Sequence, residues 1–264
     1  MFFGAKNGKI AGAEYIRFGT GERNLIMLPG LGDGLKTVGG TALPMAVMYR
    51  KFTKEFTVWM FSRREDLLAG HTTRDMARDL KDAMDALGIE KADILGVSMG
   101  GMIAQWLAID YPERVGKLIL TVTAAKPNEI LEGSIQEWTA LAQAGDHGAF
   151  MDSNLRRIYS EKYYRQNRWM LPLLGAMTKP KSYDRFLTLA EACLNHDAYA
   201  DLSNIKAPTF VIGGGQDRAV GSDAAIELAE KIPGAALKIY HEWGHGLYEE
   251  AKDFNDTILK FLHA

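Results

Sequence analysis

The stretch Gly96-Val97-Ser98-Met99-Gly100 matches the G-x-S-x-G pattern in which a serine is lifted out of a sharp strand-to-helix turn. Such a serine holds a strained backbone, and the residues two before and two after it are pushed together, so both positions demand the absence of a Cβ. Gly96 and Gly100 satisfy that demand, and Gly101 removes one more side chain where the next helix passes close to its neighbours. Five residues alone are a weak signal, so the flanks decide. Residues 92–97 form a short apolar run of buried-strand type, and residues 102–108 continue as a helix apolar nearly all round, as a central helix is. That helix ends at Tyr111-Pro112, because proline cannot continue a helix interior and biases its predecessor out of helical geometry.

Outward from this turn, strand and helix alternate. Asn7-Gly8 reads as a hairpin turn and residues 13–18 as a strand with one wet face, so the chain opens with antiparallel strands. Residues 24–28 and 56–61 look buried on two faces, as parallel strands are, with a helix-like segment near 44–53 between them. Thr72 or Thr73 caps a helix with apolar positions Met76, Leu80, Ala83, Met84 and Leu87, and Gly88 stops it. Further strands fall at 117–122, 207–212 and 236–240. This regularity predicts a doubly wound, mostly parallel sheet. The alternation lapses between Pro127 and Lys206, where helices and large side chains such as Trp138, Phe150, Tyr163, Tyr164, Trp169 and Phe186 indicate an inserted helical lid. The division is therefore a core of residues 1–126 and 206–264 and a lid of residues 127–205.

Composition narrows the partners. The 264 residues are 47% hydrophobic and carry a formal net charge of −2, so a large core is available but no basic field to hold a nucleic acid. No run approaches the roughly 20 apolar residues that span a membrane, and the first residues carry no apolar stretch of a secretory kind. The single cysteine, Cys193, excludes an internal disulfide. A reducing, cytoplasmic location is the expectation.

A serine nucleophile needs a base to take its proton and a carboxylate to orient that base. Asp217 follows an apolar strand in the loop Gly213-Gly214-Gly215-Gln216-Asp217, at the sheet edge where ligands bind in such folds. His245, flanked by Gly244 and Gly246 on a loop, has the freedom to reach Ser98, whereas His241 lies at a strand end; His245 is the preferred base and His241 the alternative. His71, His147, His196 and His263 read as surface or lid residues, and no cluster has metal-ligand spacing. Neither metal nor organic cofactor is implied.

The order Ser98, Asp217, His245 resembles that of the α/β-hydrolase superfamily, over nearly everything outside the lid. Residues 96–102, Tyr111-Pro112-Glu113-Arg114-Val115 and Gly244-His245-Gly246 are similar to its esterase, enol-lactonase and cofactor-free haloperoxidase branch. The resemblance implies a serine hydrolase with an eight-stranded sheet, and by position it implies that the backbone N–H groups of Leu31 and Met99 form the oxyanion hole. Two stretches depart from the pattern. Pro29-Gly30 stands where many relatives have His-Gly, so whatever that histidine braces must be braced otherwise. Ser62-Arg63-Arg64-Glu65-Asp66 stands where relatives often have an aspartate and a glycine-rich turn; Arg63 and Arg64 are either solvated or partners for a substrate carboxylate. An acid from the preceding core strand is the alternative to Asp217, but Thr123 and Ala124 occupy that edge, leaving only Glu129.

Three functions follow. The first is hydrolysis of a small apolar carboxylic ester or lactone, with the lid residues Trp169, Met151, Met170 and Met177 as candidates for the pocket. The second is an aminopeptidase, which needs Glu129, Glu132, Glu137 or Glu161 turned inward to hold an amine. The third is a ligand receptor with slow turnover on the same fold.

Overall fold

The computed structural model describes residues 2–170 and 179–264. Among them eight strands form one sheet: β1 (Lys6–Ile10), β2 (Ala13–Phe18), β3 (Arg23–Leu28), β4 (Phe56–Arg64), β5 (Ala92–Val97), β6 (Val115–Thr121), β7 (Thr209–Gly214) and β8 (Ala236–Tyr240). Their spatial order is β1-β2-β4-β3-β5-β6-β7-β8. The pairs β1/β2 and β2/β4 are antiparallel and all others parallel. Residues alternate strictly between the two faces: Ile26, Leu28, Ile94, Leu118 and Leu120 enter one core, while Leu25, Met27, Leu95 and Ile119 enter the other. Burial on both sides is why these strands read as continuous apolar runs.

The opening hairpin turns at Ala11-Gly12, not at Asn7-Gly8. Ala11 (φ 49°) and Gly12 (φ 80°) both adopt the left-handed conformation that a two-residue hairpin requires, and Asn7-Gly8 lies inside β1. Gly8 is needed there for another reason, since a Cβ would fall 2.3 Å from the Tyr15 ring that covers it.

Helices pack on both faces. α1 (Ala42–Met48) lies between β3 and β4, α2 (Thr73–Ala86) follows β4, and α3 (Met99–Asp110) follows β5. Thr72 caps α2 in a reciprocal box with Asp75, and Gly88 (φ 68°) ends it. Between β6 and β7 come α4 (Glu129–Gln143), α5 (His147–Ile158), α6 (Glu161–Asn167) and α7 (Asp184–Leu194). The chain closes with α8 (Ala224–Lys231), α9 (Leu247–Glu250) and α10 (Phe254–His263). Among the described residues no helix is long and apolar enough to cross a membrane.

Strand order reverses at β3 and β5, so their carboxyl ends open a crevice at the switch point of the sheet. The serine turn stands there. A Cβ on Gly96 would lie 2.6 Å from the Gly101 Cα, one on Gly100 2.1 Å from the Leu28 carbonyl oxygen, and one on Gly101 2.6 Å from the Thr123 side chain. Glycine lets α3 descend onto the end of β3 at backbone distance and onto the Thr123 side chain just beyond β6.

His196 fastens the end of the helical segment to the core. Its Nδ1 lies 2.9 Å from Thr73 Oγ1 at the start of α2, and its Nε2 3.4 Å from Gln105 Oε1 on α3. Only 1% of the residue is exposed, and this burial pushes the imidazole from its ordinary 6.5 down to about 4. The unfolded chain therefore binds more protons than the folded one between these values. His196 costs nothing above pH 6.5, and its contribution to stability falls as pH drops through 6.5 toward 4, by about 3 kcal/mol in all. Urea denaturation midpoints measured from pH 7 to pH 4 should show this decline, and His196→Gln should flatten it.

Candidate active site

Ser98 is the left-handed residue of the turn, with φ 54° and ψ −123°, between β5 and the first turn of α3. Its N–H donates to the Thr121 carbonyl at the end of β6 (2.9 Å), and its carbonyl accepts from Gly101 (2.8 Å). The backbone is thereby held from both sides, leaving the side chain at the crevice. The loop after β3 runs directly alongside, since a Cβ on Gly30 would sit 3.2 Å from Ser98 Cβ. That loop continues into a 3-10 turn, Leu31–Gly34. Leu31 and Met99 are the first residues of their helical turns, and their N–H groups have no acceptor among the described residues. Unsatisfied donors at helix starts suit a developing negative charge.

His245 and Asp217 meet from two loops. His245 Nδ1 lies 2.8 Å from Asp217 Oδ2, with both side chains buried. The other aspartate oxygen accepts from the N–H groups of Ala219 (2.8 Å) and Val220 (2.9 Å). A carboxylate so held accepts the hydrogen bond from Nδ1–H and leaves Nε2 as the basic nitrogen. The two loops need glycine for their contact: a Cβ on Gly214 would lie 2.4 Å from the Gly244 carbonyl oxygen. Gly246 donates to the carbonyl of Ile158 (2.6 Å), which fastens the histidine loop to the end of α5. His241 is exposed at the end of β8, away from the crevice, and Glu129 is exposed at the start of α4. Neither stands in for the His245–Asp217 pair.

Ser98 and His245 line one cavity of about 420 Å³. The helical segment contributes Trp138, Phe150, Asn154, Ile158 and Phe186; the core contributes Leu31, Met45, Met48, Tyr49, Tyr248 and Glu249. The lid candidates are placed otherwise. Trp169 is 74% exposed in a short 3-10 turn after α6, so its ring faces water. Met151 packs against the core, and neither it nor Met170 lines the cavity. Met177 lies outside the described residues. Aromatic content pointed to this segment, which contributes Trp138, Phe150 and Phe186 to the cavity, but could not say which face of each helix turns inward. Among the described residues no group of three histidines, cysteines or carboxylates is close enough to hold a metal.

Arg63 and Arg64 separate. Arg64 lies at the surface, paired with Asp66 (2.8 Å). Arg63 is buried and donates through Nη2 to the carbonyl of Pro29 (2.5 Å), beside the serine, while its N–H donates to Asp33 Oδ2 (2.9 Å). Arg185 of α7 grips the same carboxylate oxygen (2.6 Å), the carbonyl of Arg63 (2.9 Å) and the Asp33 carbonyl. These contacts brace the loop of Pro29 and Asp33 beside the serine. Burial draws the Arg63 guanidinium below its usual range and Asp33 opposes that shift. Sequence reasoning missed Asp33 and Arg185; a charged pair placed directly after a buried strand was the available signal. Either Arg63→Met or Arg185→Met leaves Asp33 paired with the remaining guanidinium, whereas the double variant leaves a buried carboxylate with no cation, which costs about 3 kcal/mol or more. Chemical denaturation should therefore show a loss in the double variant that exceeds the sum of the two single losses by at least about 1 kcal/mol, because both act on Asp33.

The sequence profile of the alpha/beta hydrolase fold family matches residues 24–252. A 2-hydroxy-6-oxononadienedioate/2-hydroxy-6-oxononatrienedioate hydrolase of Pseudomonas sp. is 31% identical over 193 residues, covering 70% of this chain and 68% of that protein. A 2-hydroxy-6-oxo-6-phenylhexa-2,4-dienoate hydrolase of Comamonas testosteroni is 31% identical over 206 residues, with the same coverage. Among solved structures, the enol-lactonase of Burkholderia xenovorans LB400 superposes with a TM-score of 0.82 at 24% identity, covering 98% of this chain and 100% of that one. Strand order, the strained serine and a profile match across most of the chain agree: this protein belongs to the alpha/beta hydrolase fold family.

Proposed function

We propose that this hydrolase cleaves a small carboxylic ester or lactone through an acyl-enzyme on Ser98. The observation that carries the reading is the 2.8 Å contact of Asp217 with His245, which lines the same cavity as the strained Ser98. In this scheme Ser98 Oγ attacks the carbonyl carbon as its proton passes to His245 Nε2. The carbonyl oxygen becomes an oxyanion between the N–H groups of Leu31 and Met99. Collapse of the tetrahedral intermediate breaks the bond to the leaving alkoxide, which takes the proton from His245. Water then repeats the attack on the acyl-enzyme, its proton going to His245 and back to Ser98. Asp217 stays ionised throughout and holds the imidazole in the tautomer that has a basic Nε2.

The cavity volume and its mainly apolar lining suit a small substrate. Support for the aminopeptidase reading is weak at the residues it requires. Glu137 is bound to Ser153 and Arg157, Glu161 to Arg165, and Glu129 and Glu132 are exposed. The relatives named above are hydrolases, consistent with hydrolysis here.

On a short activated ester, Ser98→Ala should abolish steady-state turnover and Asp217→Asn should lower kcat by roughly a thousandfold or more. Full activity in Ser98→Ala would end the proposal, and labelling of Ser98 without steady-state turnover would favour the receptor reading. Across a series of acyl chain lengths, Trp138→Ala should reorder the ranking of kcat/KM, whereas Trp169→Ala should leave it unchanged.

A further inference from the structure

The cavity carries a carboxylate that the scheme above does not use. Glu249, on α9 four residues after His245, lines it together with Tyr49 and Tyr248. Its Oε2 accepts a hydrogen bond from the Tyr159 hydroxyl (2.6 Å), and Tyr163 stacks on Tyr159 with ring centroids 4.4 Å apart. The carboxylate is thus fixed at one oxygen within a set of tyrosines. Its Oε1 has no partner, and no cation pairs with it among the described residues. Glu249 as a residue is exposed, at the rim of the cavity, yet desolvation of its carboxyl group and the neighbouring Glu250 raise that group above its ordinary value, so an arriving positive charge would relieve an anion that its surroundings disfavour. Lys36, the other charge in the lining without an ion-pair partner among the described residues, is exposed as well, but no hydrogen bond among them fixes its ammonium group.

One fixed and one free carboxylate oxygen bordered by aromatic side chains are the means by which proteins recognise an ammonium group. Direct charge attraction acts together with the attraction of a cation to aromatic rings. We propose that Tyr49, Tyr248 and Glu249 bind a cationic ammonium group of the substrate, so that the ester or lactone presented to Ser98 belongs to an amine or quaternary-ammonium compound. This deepens the function proposed above and rests on it for the ester only. It also sets this cavity apart from the dioate and dienoate compounds in the relatives' names, whose negative charge Glu249 would repel.

Choline and 3,3-dimethylbutan-1-ol have the same shape and differ in charge, which makes them suitable probes. Calorimetry on the whole protein should show the wild type binding choline at least about fivefold more tightly than the neutral alcohol. Glu249→Gln should bring that ratio close to one, and Tyr159→Phe should lower it partway. A ratio near one in the wild type overturns the proposal even if no variant folds, and so does an unchanged ratio in a folded Glu249→Gln protein. Binding needs no turnover, so the two readings fail separately. If choline is preferred but neither acetylcholine nor 3,3-dimethylbutyl acetate is hydrolysed in a manner dependent on Ser98, the ammonium site stands and the esterase reading falls.

Discussion

Helix α3 meets the sheet at distances that leave no room for a Cβ, and the rest of the site depends on that contact. Gly100 lies against the Leu28 carbonyl at the end of β3, Gly96 against the start of the helix, and Gly101 against Thr123 beyond β6. This brings the loop after β3 to within contact of Ser98 and forces the serine to φ 54°. A residue so strained persists only where its surroundings over-determine it. Here β5 lies between β3 and β6, and each strand is buried on both faces, which supplies the rigid frame.

Much of this was legible because it rests on local rules. The spacing of Gly96, Ser98 and Gly100 states a backbone geometry outright, and the apolar runs of β3 to β7 have the signature of strands covered on both sides. The pairing of His245 with Asp217 followed from glycine-rich loops at successive strand ends. Other features were hidden because they are decided by tertiary contact. Asn7-Gly8 has the composition of a turn, yet Gly8 is required by the ring of Tyr15. Arg63 has the look of a loop charge, yet it is drawn inside by a carbonyl and a carboxylate about 30 residues earlier in the chain. No local pattern distinguishes Trp138, which lines the cavity, from Trp169, which faces water.

The site is assembled from elements that otherwise have little in common. The nucleophile belongs to the centre of the sheet, the aspartate to the loop after β7, the histidine to the loop after β8, and much of the cavity wall to helices inserted between β6 and β7. Among the ties that hold these parts together are Gly246 donating to Ile158, and Arg185 reaching from α7 to Asp33. Both join the inserted helices to a loop beside the reacting serine. Changes in those helices are therefore transmitted to the site by position as well as by the shape of the pocket.

The arginine brace also has an electrical consequence. Two guanidiniums, Arg63 and Arg185, share the one carboxylate of Asp33, which leaves a net positive charge inside the protein beneath the loop that carries Leu31. In surroundings of low dielectric its potential reaches further than it would at the surface. Pro29 itself brings no group that gains and loses its proton near neutrality. An arginine brace stays charged across the pH range in which proteins fold. The loop is therefore held, and kept in a positive potential, by guanidiniums that carry their charge through neutrality.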